Sequence, residues 1–361
     1  MIVGKPEPGL ETPIPRHLFR SGITRSTLLK MALGVVLALI CFRVAFDSAG
    51  DVSGAVDALG EADLRWVPVA LLAELLCYLF IGFQLQRLSG PSRISFWVAA
   101  RVGVVASGLG SLLPGTPAPG IALGVHELSR RGRSARESGL SLVWLNWFSI
   151  RAFLVTAALA AVIALFRGNI AMERAGLVIT GVAVIGLGLI VTSILLTRKA
   201  LMERAAVFIG RARFWAPKPT DAEARATGAQ WYQDAMDSLG SNSNRMLIGG
   251  ASILSWLADA WCLRFALLAV GAHIDFNAVL LAYTGASLAS SIKLIPGGLG
   301  IVEATQPLIL HHFHVPLDIA LAGTLAWRGF SLVLPAVVGA AALVSLRLGA
   351  GAMSDRLPAE R

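Results

Sequence analysis

Runs of about 20 apolar residues recur from one end of this chain to the other, and they decide what it can fold into. A helix of that length crosses the roughly 30 Å hydrocarbon core of a bilayer. Inside that core only helices and closed barrels satisfy their own backbone hydrogen bonds. The sequence has 361 residues, of which 55% are hydrophobic and 15% charged. An average soluble domain carries about 25% charge. The pattern predicts an all-α polytopic membrane protein. It has about six full spans plus two re-entrant broken-helix hairpins, eight apolar units in all.

The formal charge is +9. Most Lys and Arg fall in segments expected to face the cytoplasm, as the positive-inside rule requires. The charge therefore does not call for a nucleic-acid partner. Residues 1–25 are polar and basic and contain proline, so they read as a cytoplasmic tail and not as a cleaved signal. A single transmembrane domain is expected over 26–347 and a second cytoplasmic tail over 348–361. Cys41, Cys77 and Cys262 lie inside apolar runs without CxxC spacing, and are expected to pack.

Charge in the connecting segments orients the spans. The first, about 28–46, leads into an acidic outside loop with Asp47, Asp51, Asp57, Glu61 and Asp63. The second, about 66–85, contains Glu74 and returns the chain inside at Arg87 and Arg93. An apolar run over 94–113 then breaks at Pro114-Gly-Thr-Pro-Ala-Pro-Gly120. The short run after it ends at Arg130, Arg131, Arg133 and Arg136. With positive charge at both ends, this unit is expected to be a hairpin that enters from the cytoplasm. The third span, about 139–166, carries Arg151 near its middle. The fourth, 176–196, offers Gly181, Gly186 and Gly188 for close packing. Segment 197–245 holds eight Lys/Arg and five Asp/Glu, and is read as a cytoplasmic loop of amphipathic helices on the membrane surface. The fifth span, about 246–270, contains Asp259 and Arg264. A second hairpin breaks at 291–303, and the last span, about 319–346, contains Arg328 and Pro335.

The two Pro-Gly breaks, at 114 and 296, are 182 residues apart. Each half reads span, span, broken hairpin, long span with a central Arg. Repeat one covers about 26–166 and repeat two about 175–347. Three crossings per half make the second copy inverted, and paired breaks in such repeats point to a substrate site near the midplane.

The second break is the more informative. Pro296, Gly297, Gly298 and Gly300 end one half-helix and start another. A half-helix start presents N–H groups and partial positive charge, and glycine lets a phosphate or carboxylate approach. Lys293, Arg328 and Arg151 add cations, the arginines with bidentate geometry. Glu303 falls in the first turn of the second half-helix, where it has three candidate partners: Lys293, Arg328 or a cationic headgroup. Pro114 and Gly115 mark the matching break in the first hairpin. Glu74 and Asp259 occupy corresponding spans and are read as charge balance or as carriers of a coupling proton. Arg101 and Arg264 sit near span ends, where snorkelling accounts for them. His126-Glu127 reads as interfacial. His311, His312 and His314 have no HExxH or CxxC partner, so no metal is expected. Trp144, Trp147, Trp256, Trp261 and Trp327 read as packing or interfacial residues. No GxxxxGK[ST], GxSxG or zinc set is present, so no enzyme activity and no cofactor is expected.

Leu294-Ile-Pro-Gly-Gly-Leu-Gly-Ile-Val-Glu303-Ala, His314-Val-Pro-Leu-Asp-Ile-Ala320 and Ala326-Trp-Arg-Gly-Phe-Ser-Leu-Val-Leu-Pro335 resemble the C-terminal signature of the lysylphosphatidylglycerol synthase transmembrane, or flippase-like, family. Leu112-Leu-Pro-Gly-Thr-Pro-Ala-Pro-Gly120 with Leu128-Ser-Arg-Arg-Gly132 is similar to its N-terminal hairpin. The first break carries extra prolines and lacks the Gly-Glu step of many members. The resemblance implies a domain that binds or moves membrane lipids, here as a stand-alone member without the soluble aminoacyl-transfer domain. The expectation is a translocase for an anionic or zwitterionic lipid in a bacterial plasma membrane. Two alternatives stay open: an accessory that binds lipid and scaffolds envelope-synthesis enzymes, and an intramembrane lipid-transfer enzyme.

Overall fold

The computed structural model describes residues 52–90, 94–110, 118–168, 172–212, 219–291 and 296–354. The span expected over 28–46, the N-terminal tail, the C-terminal tail from 355, Cys41, Pro114, Gly115 and Lys293 lie outside the described residues.

Every regular element among the described residues is helical. The chain runs α1 (Val52–Gly60), α2 (Trp66–Leu88), α3 (Phe96–Val104), α4 (Ala118–Ser129), α5 (Ala135–Phe166), α6 (Met172–Thr197), α7 (Lys199–Ala212), α8 (Asp221–Leu239), α9 (Asn242–Ala269), α10 (Phe276–Ala289), α11 (Ile301–His312), α12 (Leu317–Arg328) and α13 (Leu334–Ser354). Two π segments, Val105–Leu109 and Gly329–Val333, continue α3 and join α12 to α13. Helix starts are fixed by side chains that accept from first-turn N–H groups: Ser95 from Val98, Ser134 from Glu137, Ser241 from Asn244 and Asp275 from Asn277.

Four helices are long and apolar enough to cross a membrane: Trp66–Leu88, Ala135–Phe166, Asn242–Ala269 and Leu317–Ser345. They match the second, third, fifth and last expected spans. The fourth expected span is helical, but Val178–Ile194 qualifies only together with Lys199–Phe208, across a 98° bend. The described residues thus hold four candidate spans, or five with the bent pair. Phe96–Leu109 and Phe276–Ala289 are shorter apolar helices. α4 and α11 have 12 residues each, about 18 Å of helix, too short to cross.

Three details add to the expectations. At Gly181, Gly186 and Gly188, expected to allow close packing, a Cβ would meet nothing within 4 Å among the described residues. Ile179, Val184, Leu187, Ile190, Val191 and Ile194 on the same helix are exposed, so this face of α6 is uncovered among the described residues. The loop after the first span contains α1, which packs on α12. The helix that leads into the second break, α10, ends at Ala289.

Two buried cores lie side by side. One gathers Leu263, Leu267, Tyr283, Leu310 and Trp327 from α9–α12. The other gathers Leu85, Leu88, Val102, Leu128, Leu142 and Ile248 from α2–α5 and the start of α9. α2 and α9 pack on each other between them, with Ser252 Oγ donating to Gln84 Oε1 at 2.5 Å. Corresponding helices start at nearly constant offsets: α3 and α10 at 96 and 276, α4 and α11 at 118 and 301, α5 and α12 at 135 and 317.

Candidate functional site

The second hairpin is built around its glycines. Gly297, Gly298 and Gly300 have φ of 63°, 65° and 83°, the left-handed region that side chains disfavour. A Cβ at Gly298 would stand 2.8 Å from Ser290 Cβ, so the break also needs glycine to pack against the end of α10.

The start of α11 is closed by its own carboxylate. Gly300 N–H donates to Glu303 Oε2 at 2.6 Å. Arg328 Nε donates to Glu303 Oε1 at 2.7 Å, and Arg328 Nη2 donates to the Gly297 carbonyl at 2.5 Å. One guanidinium from the end of α12 thus ties both sides of the break together. The two side chains are only 12% and 7% exposed. Of the three partners read for Glu303, Arg328 is the one seen in contact among the described residues. The expectation of a bare N-terminal anion site is revised, because the carboxylate already takes the Gly300 N–H. Among the described residues two of the five Arg328 N–H groups are engaged, which leaves three.

Arg151 is elsewhere. Its Nη1 donates to the Leu189 carbonyl at 3.1 Å and approaches Thr192 Oγ1 at 3.4 Å, and its guanidinium lies 4.4 Å over the Trp147 ring. It fastens α5 to α6 and is not brought together with Arg328.

Beneath the clamp is a layer of buried polar groups. Asp259 on α9 accepts from Trp327 Nε1 at 2.7 Å and from Tyr283 Oη at 2.8 Å. Trp327 directly precedes Arg328 and packs edge-on to Tyr283 at 5.8 Å, so the clamp and this layer share one corner of α12. Glu74 on α2 is 3% exposed. It shares a hydrogen bond with the Cys262 thiol and feels the Asp259 charge. The structure therefore brings Glu74 and Asp259 together across the α2–α9 interface.

Sequence reasoning missed three members. Tyr283 is one of three tyrosines in the chain, a phenol within an apolar run, and that rarity was a usable signal. Trp327 was read as packing and proves also to be a donor to Asp259. Gln306 lies one turn beyond Glu303 on the buried face of α11, is 0% exposed, and has no partner for either end of its amide among the described residues.

The first hairpin is tighter. A Cβ at Gly108 would come 2.4 Å from the Pro335 carbonyl oxygen, and one at Gly120 would come 2.2 Å from that of Ala106. Backbone meets backbone here. Glu127 is buried, while its neighbour His126 is exposed. Among the described residues no group of three or more His, Cys, Asp or Glu is placed to hold a metal ion. His311 Nδ1 instead meets the Val315 carbonyl at 3.0 Å.

Apolar helices of spanning length, a glycine break sealed by an ion pair and a carboxylate layer set in one of the cores define a multi-pass helical membrane protein. The chain belongs to a known family: the model of the lysylphosphatidylglycerol synthase TM region matches residues 31–339. No curated protein matches the chain.

Proposed function

We propose that this protein translocates a lipid with an anionic or zwitterionic headgroup across the bacterial plasma membrane, as a flippase-like member of its family. The observation that carries the reading is the Arg328 clamp. It is a buried guanidinium held by an internal carboxylate at a glycine break, with N–H groups to spare. A headgroup phosphate that reaches the break competes with Glu303 for Arg328. Exchange frees the Gly297 carbonyl and unlocks the hairpin, and departure of the lipid lets Glu303 return. Pro296, Gly297, Gly298 and Gly300 supply the approach, Lys293 adds charge before the break, and Glu303 acts as the internal stand-in for the ligand. The hairpin at Pro114 and Gly115 is the inverted counterpart, and Arg151 contributes by holding α5 on α6. The near-constant offset of helix starts supports the inverted repeat, with both termini cytoplasmic. The function requires no catalytic group and no cofactor.

The test is reconstitution of the purified protein in vesicles carrying labelled phosphatidylglycerol, phosphatidylethanolamine or a polyprenyl phosphate, with headgroup exposure followed over time. Wild-type protein is expected to move at least one class. Loss of a charge-assisted contact is worth about 1.5–3 kcal/mol, so Arg328→Ala and Glu303→Gln are expected to slow movement roughly 10- to 150-fold. Lipid binding by folded protein without headgroup movement would overturn translocation and leave an envelope-synthesis accessory.

A further inference from the structure

We propose that Glu74 is an exchangeable proton site in the interior of the bundle, and that its proton decides whether Arg328 stays with Glu303. The second clause rests on the function proposed above; the first does not.

Glu74 stands on the buried stripe Ala70, Ala73, Glu74 and Cys77 of α2, facing α9. One of its oxygens has the Cys262 thiol. The other, Oε2, is buried and has no partner among the described residues. Asp259 differs, since both of its oxygens accept hydrogen bonds, one from an indole and one from a phenol. Both Asp259 oxygens are thus satisfied as acceptors. Glu303 is likewise held as an acceptor, by Gly300 N–H and Arg328.

Three carboxyl groups thus meet one described cation, Arg328, whose charge also acts on Asp259. The other helices packed on α2 offer Glu74 no counter-charge. α3 carries Arg101, which is exposed, and α5 carries Arg151, which is turned to α6. On α8, Asp234 pairs with Arg136 and Asp237 is exposed. The π segment after Arg328 adds no titratable group, and on α9 Arg264 reaches toward the Ala272 carbonyl. Cys77, Tyr78, Cys262 and Tyr283 complete the surroundings, none of them cationic. An unpaired buried charge is far costlier than a neutral carboxyl, so the proton belongs on Glu74.

Release is a simple ionisation. The O–H bond at Oε2 breaks, the electron pair stays on the oxygen, and the proton passes to water. Two adjacent negative charges on α2 and α9 then pull on the nearest cation. Arg328 is joined to that layer through Trp327, and moving toward it abandons Glu303 and the Gly297 carbonyl. Ionisation of Glu74 and opening of the second hairpin become one event.

The experiment is infrared difference spectroscopy of the purified full-length protein in lipid nanodiscs, titrated with pH. The carbonyl stretch of a protonated carboxyl is expected in wild type at neutral pH, to vanish on alkalinisation, to persist in Glu303→Gln and to be absent in Glu74→Gln. Glu74→Asp is expected to shift the band. Carbodiimide modification of wild type, mapped by mass spectrometry, is expected at Glu74. A wild type with no such band, a band that survives Glu74→Gln, or modification at Asp259 alone would overturn the proton site. These readouts need no lipid movement. If the band behaves as described and vesicles show no translocation, the proton site stands and the lipid function falls. If translocation occurs with equal pH dependence in wild type and Glu74→Gln, the link to Arg328 falls.

Discussion

Arg328 does two different things with one planar group, and that is why a lysine cannot replace it. Its Nε serves Glu303 and its Nη2 serves the Gly297 carbonyl on the other side of the break. Removing one partner of a buried pair strands the other charge, at about 3–5 kcal/mol. Arg328→Ala is therefore expected to lower the thermal midpoint of the purified protein more than Arg328→Lys, and adding Glu303→Gln to Arg328→Ala to restore part of the loss. A double-mutant cycle that is additive to within about 0.5 kcal/mol would show the two residues to be energetically independent. Gln306 predicts the opposite sign. A buried amide without partners costs about 1–3 kcal/mol, so Gln306→Leu is expected to raise the midpoint by up to that amount, and an unchanged or lower midpoint refutes it. Glu303 and Arg328 were legible because each sits in an unusual local setting, a first turn after Pro-Gly-Gly and a charge in an apolar span. The donors to Asp259 were not, because Tyr283 and Trp327 are 24 and 68 residues away and only the packing of α9, α10 and α12 joins them.

At the scale of elements, helix existence was legible from apolar length and helix starts from capping residues. What local pattern could not supply was α1, nine residues in an acidic connection, or the π segments, which depend on how a helix accommodates its neighbours. The first hairpin shows that dependence. Gly108 lies in a π segment and would place a Cβ 2.4 Å from the Pro335 carbonyl oxygen of α13. Gly108→Ala is expected to force these elements apart at about 1–3 kcal/mol, with faster amide exchange in α3 and α13 while α10 and α11 keep their protection. Uniform loosening of both hairpins would instead mean a global defect. In segment 197–245, Thr220 and Glu223 form a reciprocal cap on α8. Glu223 is held below the usual carboxylate range by the Thr220 backbone N–H and then its hydroxyl, and Asp221 is lowered mainly by its hydrogen bond with Arg211. Because both values are depressed on folding, their stabilisation is present above the unfolded carboxylate range, about pH 3.9–4.3, and is lost as pH falls through the folded values. Amide exchange within 221–239, corrected for intrinsic rate, is expected to rise as pH falls from 5 to 3 in wild type. Glu223→Ala is expected to show that faster exchange already at neutral pH.

For the whole molecule, the two cores and the α2–α9 interface suggest a pair of similar halves, and the proposed inverted repeat makes a claim about their relative orientation. With three crossings in the first half, as the proposal has it, the second half is turned over and equivalent points of the two hairpins face opposite sides of the membrane. Arg130 and His312 are such points. They are 182 residues apart, Arg130 directly after α4 and His312 at the end of α11, and both are exposed. The proposed topology puts Arg130, with Arg131, Arg133 and Arg136 beside it, on the cytoplasmic side, and the segment with His311, His312, His314 and Asp318, which has no Lys or Arg, on the other. In a background with Cys41, Cys77 and Cys262 replaced, His312→Cys is expected to react with an impermeant thiol reagent on intact cells. Arg130→Cys is expected to react only after permeabilisation. Labelling of both from one side would make the halves parallel, and the Arg328 clamp would then lose its opposed counterpart. Opposite labelling would place the two breaks on a shared midplane, entered from the two faces, as a lipid headgroup crossing between leaflets requires.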